Sequence, residues 1–427
     1  MIKRFLKKQV STRDKKRLVE NVFSLSAVQM VNYLLPLITF PYLIRVLGFE
    51  RFGLIAFAQA VIQYLVIFTD YGFYLSATRA VSVNRSDPKK LSSIVAAVFV
   101  VKTILLALSA AVLVGMLLFI PKFRADWLLY VFCFGLVLEN FLFPVWFFQG
   151  IENMKYIALR NGITKLFFTV MIFVFVHRPE HYLYVPLINS LGMVVSGGIG
   201  LVAVFTAFKV SLVVPTFGDI WEQVTEGWRI FVSKLAISLY TTTNTVILGL
   251  FMSNIVVGYY AAGEKIIRMV TSMFEPLFKA AYPYVAKRAA TDHNAAVGQL
   301  KKVFLVSFWG SVVVFVVFLL FSGDIVRLIL GAQGAGSLPI VRVLSPLLLI
   351  IPASYVLANL GLLSFRLDAQ FLGIYLGGGL VNAVFLWLFI GGLSLGGVGA
   401  ACASVLTEGV LLASMWQVLR SNKVRLL

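Results

Sequence analysis

Long apolar segments alternate with short polar interruptions along almost the whole chain of 427 residues. Most of these segments hold about 20 residues or more, which is the length that a helix needs to cross the hydrocarbon core of a bilayer. No interruption is long enough to form a soluble domain. The pattern predicts an all-α integral membrane protein with twelve transmembrane helices. The expected spans are residues 18–43, 51–75, 91–119, 127–149, 155–176, 184–208, 228–251, 255–285, 300–322, 338–364, 369–391 and 396–418.

The longest polar interruption, residues 209–229, divides the spans into two sets of six. Its aromatic residues recur at helical spacing with acidic residues between them, which predicts an amphipathic helix on the cytoplasmic surface. The expected organisation is a basic cytoplasmic N-terminal arm at 1–17, an N-lobe at 18–208, this inter-lobe linker at 209–229, a C-lobe at 230–418 and a cytoplasmic tail at 419–427.

The two lobes carry a weak internal repeat in their second spans. RFGLIAFAQAVIQYLVIF at 51–68 aligns without gaps on VVGYYAAGEKIIRMVTSM at 256–273, at an offset of 205 residues. The alignment pairs Gly53 with Gly258, Gln59 with Glu264 and Gln63 with Arg268. The identity is low, so a chance match is the alternative. A true repeat of six spans predicts two parallel lobes related by an axis along the membrane normal.

The charge of +19 invites a nucleic-acid interpretation, but its distribution along the chain predicts no such partner. With twelve spans and the N-terminus inside, the cytoplasmic segments hold 25 Lys and Arg residues and the outer loops hold 6. This is the positive-inside distribution of membrane proteins, and it predicts that both termini are cytoplasmic. The arm at 1–17 is expected to lie against membrane lipids. Both cysteines, Cys133 and Cys402, fall inside spans, so no disulfide or metal site is expected.

The eighth expected span is apolar enough to cross a bilayer but carries a polar stripe. Its members Lys265, Arg268, Ser272, Glu275 and Lys279 are spaced by three or four residues, which places them on one face of a helix. Charged residues inside a span are costly and normally face protein or a water-filled cavity. We therefore expect this helix to line a polar cavity.

Three segments carry a resemblance to a known family: NYLLPLITFPYLIRVLGFERFG at 32–53, FPVWFFQGIENMKYIALRNGITK at 143–165 and VVGYYAAGEKIIRMV at 256–270. They resemble Wzx-type lipid-linked oligosaccharide flippases, in the polysaccharide transport branch of the multidrug/oligosaccharidyl-lipid/polysaccharide exporter (MOP) superfamily. The resemblance covers nearly the whole chain, and the block at 143–165 is its most specific part.

The resemblance implies two six-helix lobes and a transporter of the bacterial inner membrane that works by alternating access. The implied substrate is an undecaprenyl-pyrophosphate-linked oligosaccharide repeat unit, moved outward for O-antigen or similar surface polysaccharides. Other polysaccharide assembly proteins are implied as partners. No cofactor is implied. Several members of the family have an acidic residue near Asn244, and its absence here puts ion coupling at that position in doubt.

The first candidates for binding the pyrophosphate are Lys265 and Arg268, because arginine offers a fork for phosphate oxygens and lysine a point charge. The alternative is a structural pair of Glu264 with Arg268 at i,i+4. The further candidates for substrate binding are Lys279, Lys102, Lys234, Gln59, Gln63 and Tyr260. For the lysines among them, ion pairing or snorkelling is the alternative.

The acidic residues inside the spans are candidates for coupling transport to protons or sodium ions, because a buried carboxyl can titrate near neutrality. They are Asp70, Glu139, Glu264, Glu275 and Glu408. The alternative for each is a fixed ion pair. His177 and His181 are not expected to bind metal, because Pro179 between them disrupts helical geometry.

Two other functions compete with a flippase. A multidrug antiporter of the same superfamily would want an acidic, aromatic cavity, and a membrane glycan polymerase or glycosyltransferase would carry catalytic residues or a large outer loop. The chain holds no Walker A, HExxH or Asp-x-Asp motif, so no enzyme activity is expected. The last expectation is geometric: the cavity lies between spans 1, 2, 7 and 8, with Gln63 and Arg268 both facing it.

Overall fold

The computed structural model describes residues 12–208, 210–211, 213–289, 291–422 and 424, and the side chains from residue 35 onward except those of 279, 280 and 283. Every regular element in these residues is a helix. The first half contains α1 (Thr12–Asp70), α2 (Phe73–Asn84), α3 (Pro88–Phe119), α4 (Pro121–Ala125), α5 (Trp127–Cys133), α6 (Gly135–Leu142), α7 (Val145–Gly150), α8 (Met154–Phe175), a 3-10 turn (Pro179–Leu183) and α9 (Tyr184–Thr206).

The second half is again built from helices, several of them continued by a short 3-10 or π segment. It contains α10 (Phe217–Thr241), α11 (Thr243–Phe251), α12 (Asn254–Thr271), a 3-10 turn (Ser272–Phe274), α13 (Glu275–Ala289), α14 (His293–Leu320), α15 (Ser322–Leu330), a 3-10 segment (Ala332–Ser337), α16 (Leu338–Leu344), α17 (Leu347–Tyr355), a π segment (Val356–Leu362), α18 (Asp368–Leu386), a π segment (Trp387–Gly392) and α19 (Gly396–Ser421).

Eight of the described helices are long and apolar enough to cross a membrane, and the count is nine if the bent pair of segments around residue 345 forms one span. Three features lower this count below the predicted twelve. The expected seventh span is divided between α10 and α11, and α11 has only 9 residues. The expected spans 1 and 2 lie in the single helix α1, which is kinked at Gly48 (φ 73°). The helix α12 carries Glu264, Lys265 and Arg268, so it is less apolar than an ordinary span. The number twelve stays a prediction.

Pro144 separates α6 from α7 within the fourth expected span and leaves a backbone acceptor without its helical donor. The carbonyl of Asn140 would bond the N–H of residue 144 in a continuous helix, but Pro144 has none. The Nζ of Lys102 donates to this carbonyl at 2.6 Å and to the Asn140 side-chain oxygen at 3.1 Å. Lys102 is 1% exposed. Its charge therefore stabilises a helix break, which differs from the expected contact with substrate.

The sequence pattern predicted a separate surface helix in the polar segment between the halves, but the structure shows none. The helix α10 begins at Phe217 and continues without interruption through residue 229 into the expected seventh span. A capping box fixes its start, because the backbone N–H of Asp219 donates to the Thr216 hydroxyl at 3.2 Å and that of Thr216 to the Asp219 carboxylate at 3.2 Å. The connection between the halves is therefore stiff from Phe217 onward.

A direct backbone contact joins the second spans of the two halves. A Cβ added to Gly53 would overlap the carbonyl oxygen of Asn254, and one added to Gly258 would overlap the carbonyl oxygen of Phe49. Gly53 and Gly258 are 205 residues apart, and so are Phe49 and Asn254. Each contact is thus repeated with the two halves exchanged, which is the signature of a two-fold axis. The reciprocity supports the repeat alignment.

Candidate functional site

A cavity of about 500 Å³ lies between the two halves, and we call it the central cavity. Its walls are the second part of α1, the junction of α10 with α11, and α12. Its polar lining residues are Gln59, Gln63, Thr241, Thr242, Thr245, Glu264, Lys265 and Arg268. The prediction that Gln63 and Arg268 line one cavity is confirmed. The described side chains of the expected first span, from residue 35 to residue 43, line an adjoining cavity and not this one.

The sequence of α12 explains why its charges reach the cavity. Lys265 and Arg268 are exposed, whereas Ile266 and Ile267 between them are each 1% exposed and pack in the protein core. A helix turns by about 100° per residue, so the two basic residues share one face and the two isoleucines lie off it. The apolar side of the helix thereby fixes the direction of its cationic side.

Arg268 is paired and open to the cavity at the same time. Its Nε and Nη2 donate to Glu264 Oε1 at 2.9 and 2.6 Å, as the structural alternative predicted. Its side chain is nevertheless 55% exposed, against 20% for Glu264. The carboxylate therefore holds the guanidinium in place without covering it.

Lys265 has a different environment. Its Nζ lies 4.8 Å from the centre of the Phe40 ring, and it makes no ion pair within the part of the chain that the structure describes. A cation over an aromatic face is stabilised without being neutralised. Lys265 is thus the cavity cation whose charge is least compensated.

Two smaller cavities adjoin the central cavity and share its charged residues. The N-side cavity, of about 250 Å³, lies against α1, α8 and α9 and shares Gln59 and Lys265 with the central cavity. The C-side cavity, of about 180 Å³, lies against α10, α12 and α19 and shares Glu264 and Arg268. The single turn from Glu264 to Arg268 therefore contributes to all three cavities.

Sequence reasoning missed Lys165, which lines the N-side cavity. The positive-inside count placed Lys165 and Arg160 in a cytoplasmic segment, but both lie inside α8, Lys165 midway along it. The available signal was the spacing of Thr164, Lys165, Phe168 and Thr169, which share one helical face. The excess of basic residues on the expected cytoplasmic side is reduced by these two and keeps its direction.

Several predicted site residues are engaged in ion pairs away from the cavity walls. Asp70 accepts from Lys234 Nζ at 2.6 Å, and this pair joins the two halves. Glu139 pairs with Arg160, whose guanidinium lies over the ring of Phe143. In this conformation the fixed-partner alternative holds for Asp70, Lys234 and Glu139.

Tyr260 does not face the central cavity, which differs from its expected role in glycan binding. It is 1% exposed, and its hydroxyl lies 3.2 Å from Asn244 Nδ2 and 2.9 Å from the Ser404 hydroxyl. Asn244 also accepts from Asn382 Nδ2 at 2.8 Å, and Asn382 accepts from the Thr407 hydroxyl at 3.2 Å. Asn244 is therefore the centre of a neutral, buried hydrogen-bond network.

The remaining candidates lie further along the chain. Glu408 lines the C-side cavity together with Glu264 and Arg268. Glu275 is the first residue of α13 and lies about two helical turns beyond Arg268 of the central cavity. The side chain of Lys279 lies outside the described residues. The described residues contain no group of three or more His, Cys, Asp or Glu side chains placed to hold a metal ion.

Comparison with known proteins places this arrangement in a family. The family model described as "Polysaccharide biosynthesis protein" matches residues 18–288, more than half of the chain. The chain belongs to this polysaccharide biosynthesis protein family. It is also similar to a protein of Escherichia coli (strain K12) named "Putative O-antigen transporter", with 28% identity over 412 residues that cover 96% of this chain and 99% of the relative. A protein of the same name from Shigella dysenteriae is 27% identical over 65% of this chain and 69% of its own length.

Solved structures show which fold this family member has. A multidrug resistance MATE family transporter of the MOP superfamily, in an inward-facing conformation, superposes with a TM-score of 0.73 at 14% identity, over 94% of this chain and 98% of the other. The lipid II flippase MurJ, in an inward closed conformation, superposes with a TM-score of 0.72 at 12% identity, over 93% of this chain and 87% of the other. The protein is an all-α membrane protein with the fold of the MOP superfamily.

The matched region of the polysaccharide biosynthesis family contains most of the site. Residues 18–288 include all polar residues of the central cavity and both lysines of the N-side cavity. They exclude Glu408 and the α19 wall of the C-side cavity. The cationic side of the site is thus the part that this family model describes.

Proposed function

We propose that the protein is a flippase that moves undecaprenyl-pyrophosphate-linked oligosaccharide repeat units across the bacterial inner membrane for O-antigen or similar polysaccharide synthesis. The observation that carries the proposal is the cationic central cavity between the halves, where Lys265 and Arg268 face a space of about 500 Å³. The family of the chain, its relatives named as O-antigen transporters and its MurJ-like fold support it.

In the proposed mechanism the pyrophosphate is bound by α12. Arg268 presents its fork to the phosphate oxygens while Glu264 holds it in place, and Lys265 adds a point charge. Gln59 and Gln63 on the opposite wall offer amide donors and acceptors to the sugars. The polyprenyl tail stays in the bilayer.

Alternating access would open one end of the central cavity at a time. With both termini cytoplasmic, the crossing of Gly53 with Gly258 lies at the periplasmic end. The Asp70–Lys234 pair and the stacked rings of Tyr71 and Phe231 lie at the cytoplasmic end. Rocking of the halves breaks one set of contacts while the other forms. A reporter fused after Leu427 that is active only in the periplasm would contradict this orientation.

The two competing functions fit the cavity less well. A multidrug antiporter for cationic compounds needs a net acidic cavity, whereas the central cavity has Glu264 against Lys265 and Arg268. A membrane glycosyltransferase or polymerase needs groups that act on a glycosidic bond. Glu264, the carboxylate among the described lining residues of the central cavity, is paired with Arg268. We assign no catalytic residue.

The proposal is tested by export of surface glycan in cells that lack their own flippase. Arg268→Ala is expected to abolish export while the protein still inserts, and Arg268→Lys to restore it in part. The double variant Glu264→Gln with Arg268→Ala distinguishes two roles of Arg268, which are binding of pyrophosphate and neutralisation of Glu264. If Arg268 binds pyrophosphate, the double variant stays inactive, whereas a guanidinium that only neutralises Glu264 would be dispensable once that charge is gone.

Two results would contradict the proposed function. One is normal export by Arg268→Ala. The other is normal export by Lys265→Met, which keeps the length of the side chain and removes its charge. Lys155→Gln is the matched control, because it removes a charge from an exposed position in the first turn of α8. Export by this control should equal that of the unaltered protein.

A further inference from the structure

A further cavity lies in the C-terminal half, outside the three that meet at Glu264 to Arg268, and we call it the apolar cavity. It has a volume of about 420 Å³ and lies between α14, α17 and α19. Its aromatic walls include Phe304 of α14 and Trp416 of α19, whose rings lie 5.7 Å apart. Apart from the indole N–H of Trp416, its described lining residues carry no polar side-chain group. A polar ligand buried there would lose its hydrogen bonds, so the cavity suits a hydrocarbon chain.

The apolar cavity opens towards the lipid. Ala413, one of its lining residues, is exposed, and so is Trp309, which follows the lining residue Phe308 in α14. Both α14 and α19 are long and apolar enough to cross a membrane, so their exposed apolar side chains face lipid. With both termini cytoplasmic, the lining residues of α19 lie in its cytoplasmic half. The cavity is therefore reached from the leaflet that supplies the substrate of the proposed flippase.

Only a thin wall separates the apolar cavity from the C-side cavity. The helices α17 and α19 form this wall and pack against each other. On α17, Ile351 lines the C-side cavity and Ile350 lines the apolar cavity; on α19, Glu408 lines the first and Gly409 the second. The wall between Arg268 and the apolar cavity is thus one layer of helices, about 10 Å thick.

Both helices of this wall have a local irregularity. A Cβ added to Gly409 would lie in open space, with nothing among the described residues within 4 Å. In α17, Pro352 has no N–H to donate to the carbonyl of Leu348, and the π segment Val356–Leu362 begins one turn later. Short π segments within helices occur frequently at functional sites. The wall therefore combines free space at Gly409 with an incomplete set of backbone hydrogen bonds in α17.

We propose that the apolar cavity binds part of the polyprenyl tail while Arg268 binds the pyrophosphate, and that the tail passes between α17 and α19 at Gly409. The inference rests on the proposed flippase function. A head group held one helix layer away keeps this tail beside the cavity, which favours it over the acyl chain of a bilayer phospholipid. Because lipid chains are as apolar as the cavity, tethering and van der Waals packing, and not the hydrophobic effect, favour this occupant.

The test compares two pyrophosphates that differ only in the length of their isoprenoid tail. Undecaprenyl pyrophosphate has a tail that can cross the wall, whereas the single isoprene unit of dimethylallyl pyrophosphate is too short to do so. Binding of each probe is measured with the purified full-length protein in lipid nanodiscs. The readout is the change in affinity of each probe between variants, so that different partitioning of the two probes into the membrane does not enter.

Gly409→Leu is the decisive variant, because it fills the free space without a clash and replaces glycine by a better helix former. It is expected to weaken undecaprenyl pyrophosphate by about tenfold, through lost packing of the tail, and to leave dimethylallyl pyrophosphate unchanged. Arg268→Ala should weaken both probes. Gly377→Leu in α18 is the matched control, because a Cβ at Gly377 also meets nothing within 4 Å among the described residues. This control should bind both probes normally.

Photo-cross-linking identifies the chain that occupies the cavity. A benzophenone amino acid in place of the lining residue Leu412 is expected to form adducts with undecaprenyl pyrophosphate, and Gly409→Leu should reduce them. The same amino acid in place of Leu320, which is 72% exposed on α14 and outside the cavity, should form adducts with phospholipid. Adducts with phospholipid alone at position 412, under saturating undecaprenyl pyrophosphate, would assign the cavity to bilayer lipid and reject the proposal.

The binding outcomes separate the tail cavity from the proposed function. If Gly409→Leu binds undecaprenyl pyrophosphate normally while Arg268→Ala weakens both probes, the tail cavity is rejected and the proposed function stands. If Gly409→Leu weakens both probes equally, its effect lies at the pyrophosphate site and the tail cavity is again rejected. If the unaltered protein binds neither probe, the tail cavity and the pyrophosphate site of the proposed function are rejected together.

Discussion

The two halves of the chain stabilise their buried polar groups by different chemistry. The N-terminal half uses charges: Lys102 closes the helix break at Asn140, and Glu139 pairs with Arg160. The C-terminal half uses neutral groups, since its buried network consists of amides and hydroxyls centred on Asn244. Removing one partner of a buried charged pair costs more folding free energy than removing one member of a neutral hydrogen-bond network.

The cavities beside the two halves also differ in the charge of their lining residues. The N-side cavity has the lysines and no described carboxylate, whereas the C-side cavity has Glu264 and Glu408 around Arg268. The charges inside the N-terminal half are thus mostly structural, with Lys165 as the exception that reaches a cavity. We infer that Lys265 and Arg268 hold the anion and that Glu408 of the C-side cavity is the carboxylate able to respond to an ion gradient.

The largest effect on stability is expected from Arg160→Ala. It leaves Glu139 without its partner inside the N-terminal half, where breaking a buried ion pair costs about 3–5 kcal/mol. The free energy of unfolding, measured in bilayer-like discs, should fall by that amount. The double variant Glu139→Leu with Arg160→Leu should recover most of the loss, and failure to recover would mean that the two charges do not act as a pair.

A smaller effect is expected from Asn382→Leu in the C-terminal half. The side chain of Asn382 is fully buried and bonds Asn244, Thr407 and the carbonyl of Leu239. Its loss leaves neutral partners unsatisfied at a cost of about 1–3 kcal/mol. The same unfolding measurement applies. A loss as large as that of Arg160→Ala would remove the contrast between the halves.

The next prediction concerns Glu408 and the coupling of export to an ion gradient. Glu408→Gln should reduce the gain in export that a proton or sodium gradient provides, by about fivefold, which is at the lower end of ordinary coupling energies. Export without a gradient should be unchanged, as measured in reconstituted vesicles. Glu180→Gln, an exposed position, is the control. Full coupling in Glu408→Gln would leave the carboxylate of the C-side cavity without the role inferred here.

The smallest effect on stability is expected from Thr216→Ala at the start of α10, where the two halves are connected. Hydrogen bonds, chiefly from the Thr216 hydroxyl and then from Ser93 and Lys90, hold the pKa of Asp219 well below its usual range. Thr216→Ala should lower the free energy of unfolding by about 1 kcal/mol. Because a lowered pKa stabilises the fold only while the carboxyl is ionised, this difference should persist from pH 8 to pH 5 and fade only in stronger acid. A difference that already fades near pH 6 would exclude Asp219 as its source.

The sequence was sufficient for the fold class and for the face of α12, because both follow from the spacing of apolar and charged residues. It was also sufficient to pair Gln63 with Arg268 through the repeat offset. It did not locate Lys165, because the positive-inside count took this lysine as cytoplasmic although it lies in the middle of the predicted span 155–176. It could not separate Tyr260 from the cavity lining either, because the partners of its hydroxyl come from helices distant in the chain.

The backbone crossing at Gly53 and Gly258 also determines how well the closed protein holds back ions. Water can form a continuous hydrogen-bonded chain through a membrane protein where side chains leave gaps. At this crossing the two main chains touch with no side chain between them. A continuous chain of water would let ions cross and would dissipate the ion gradient of the membrane. A passage wide enough for a glycan can therefore close without becoming a leak.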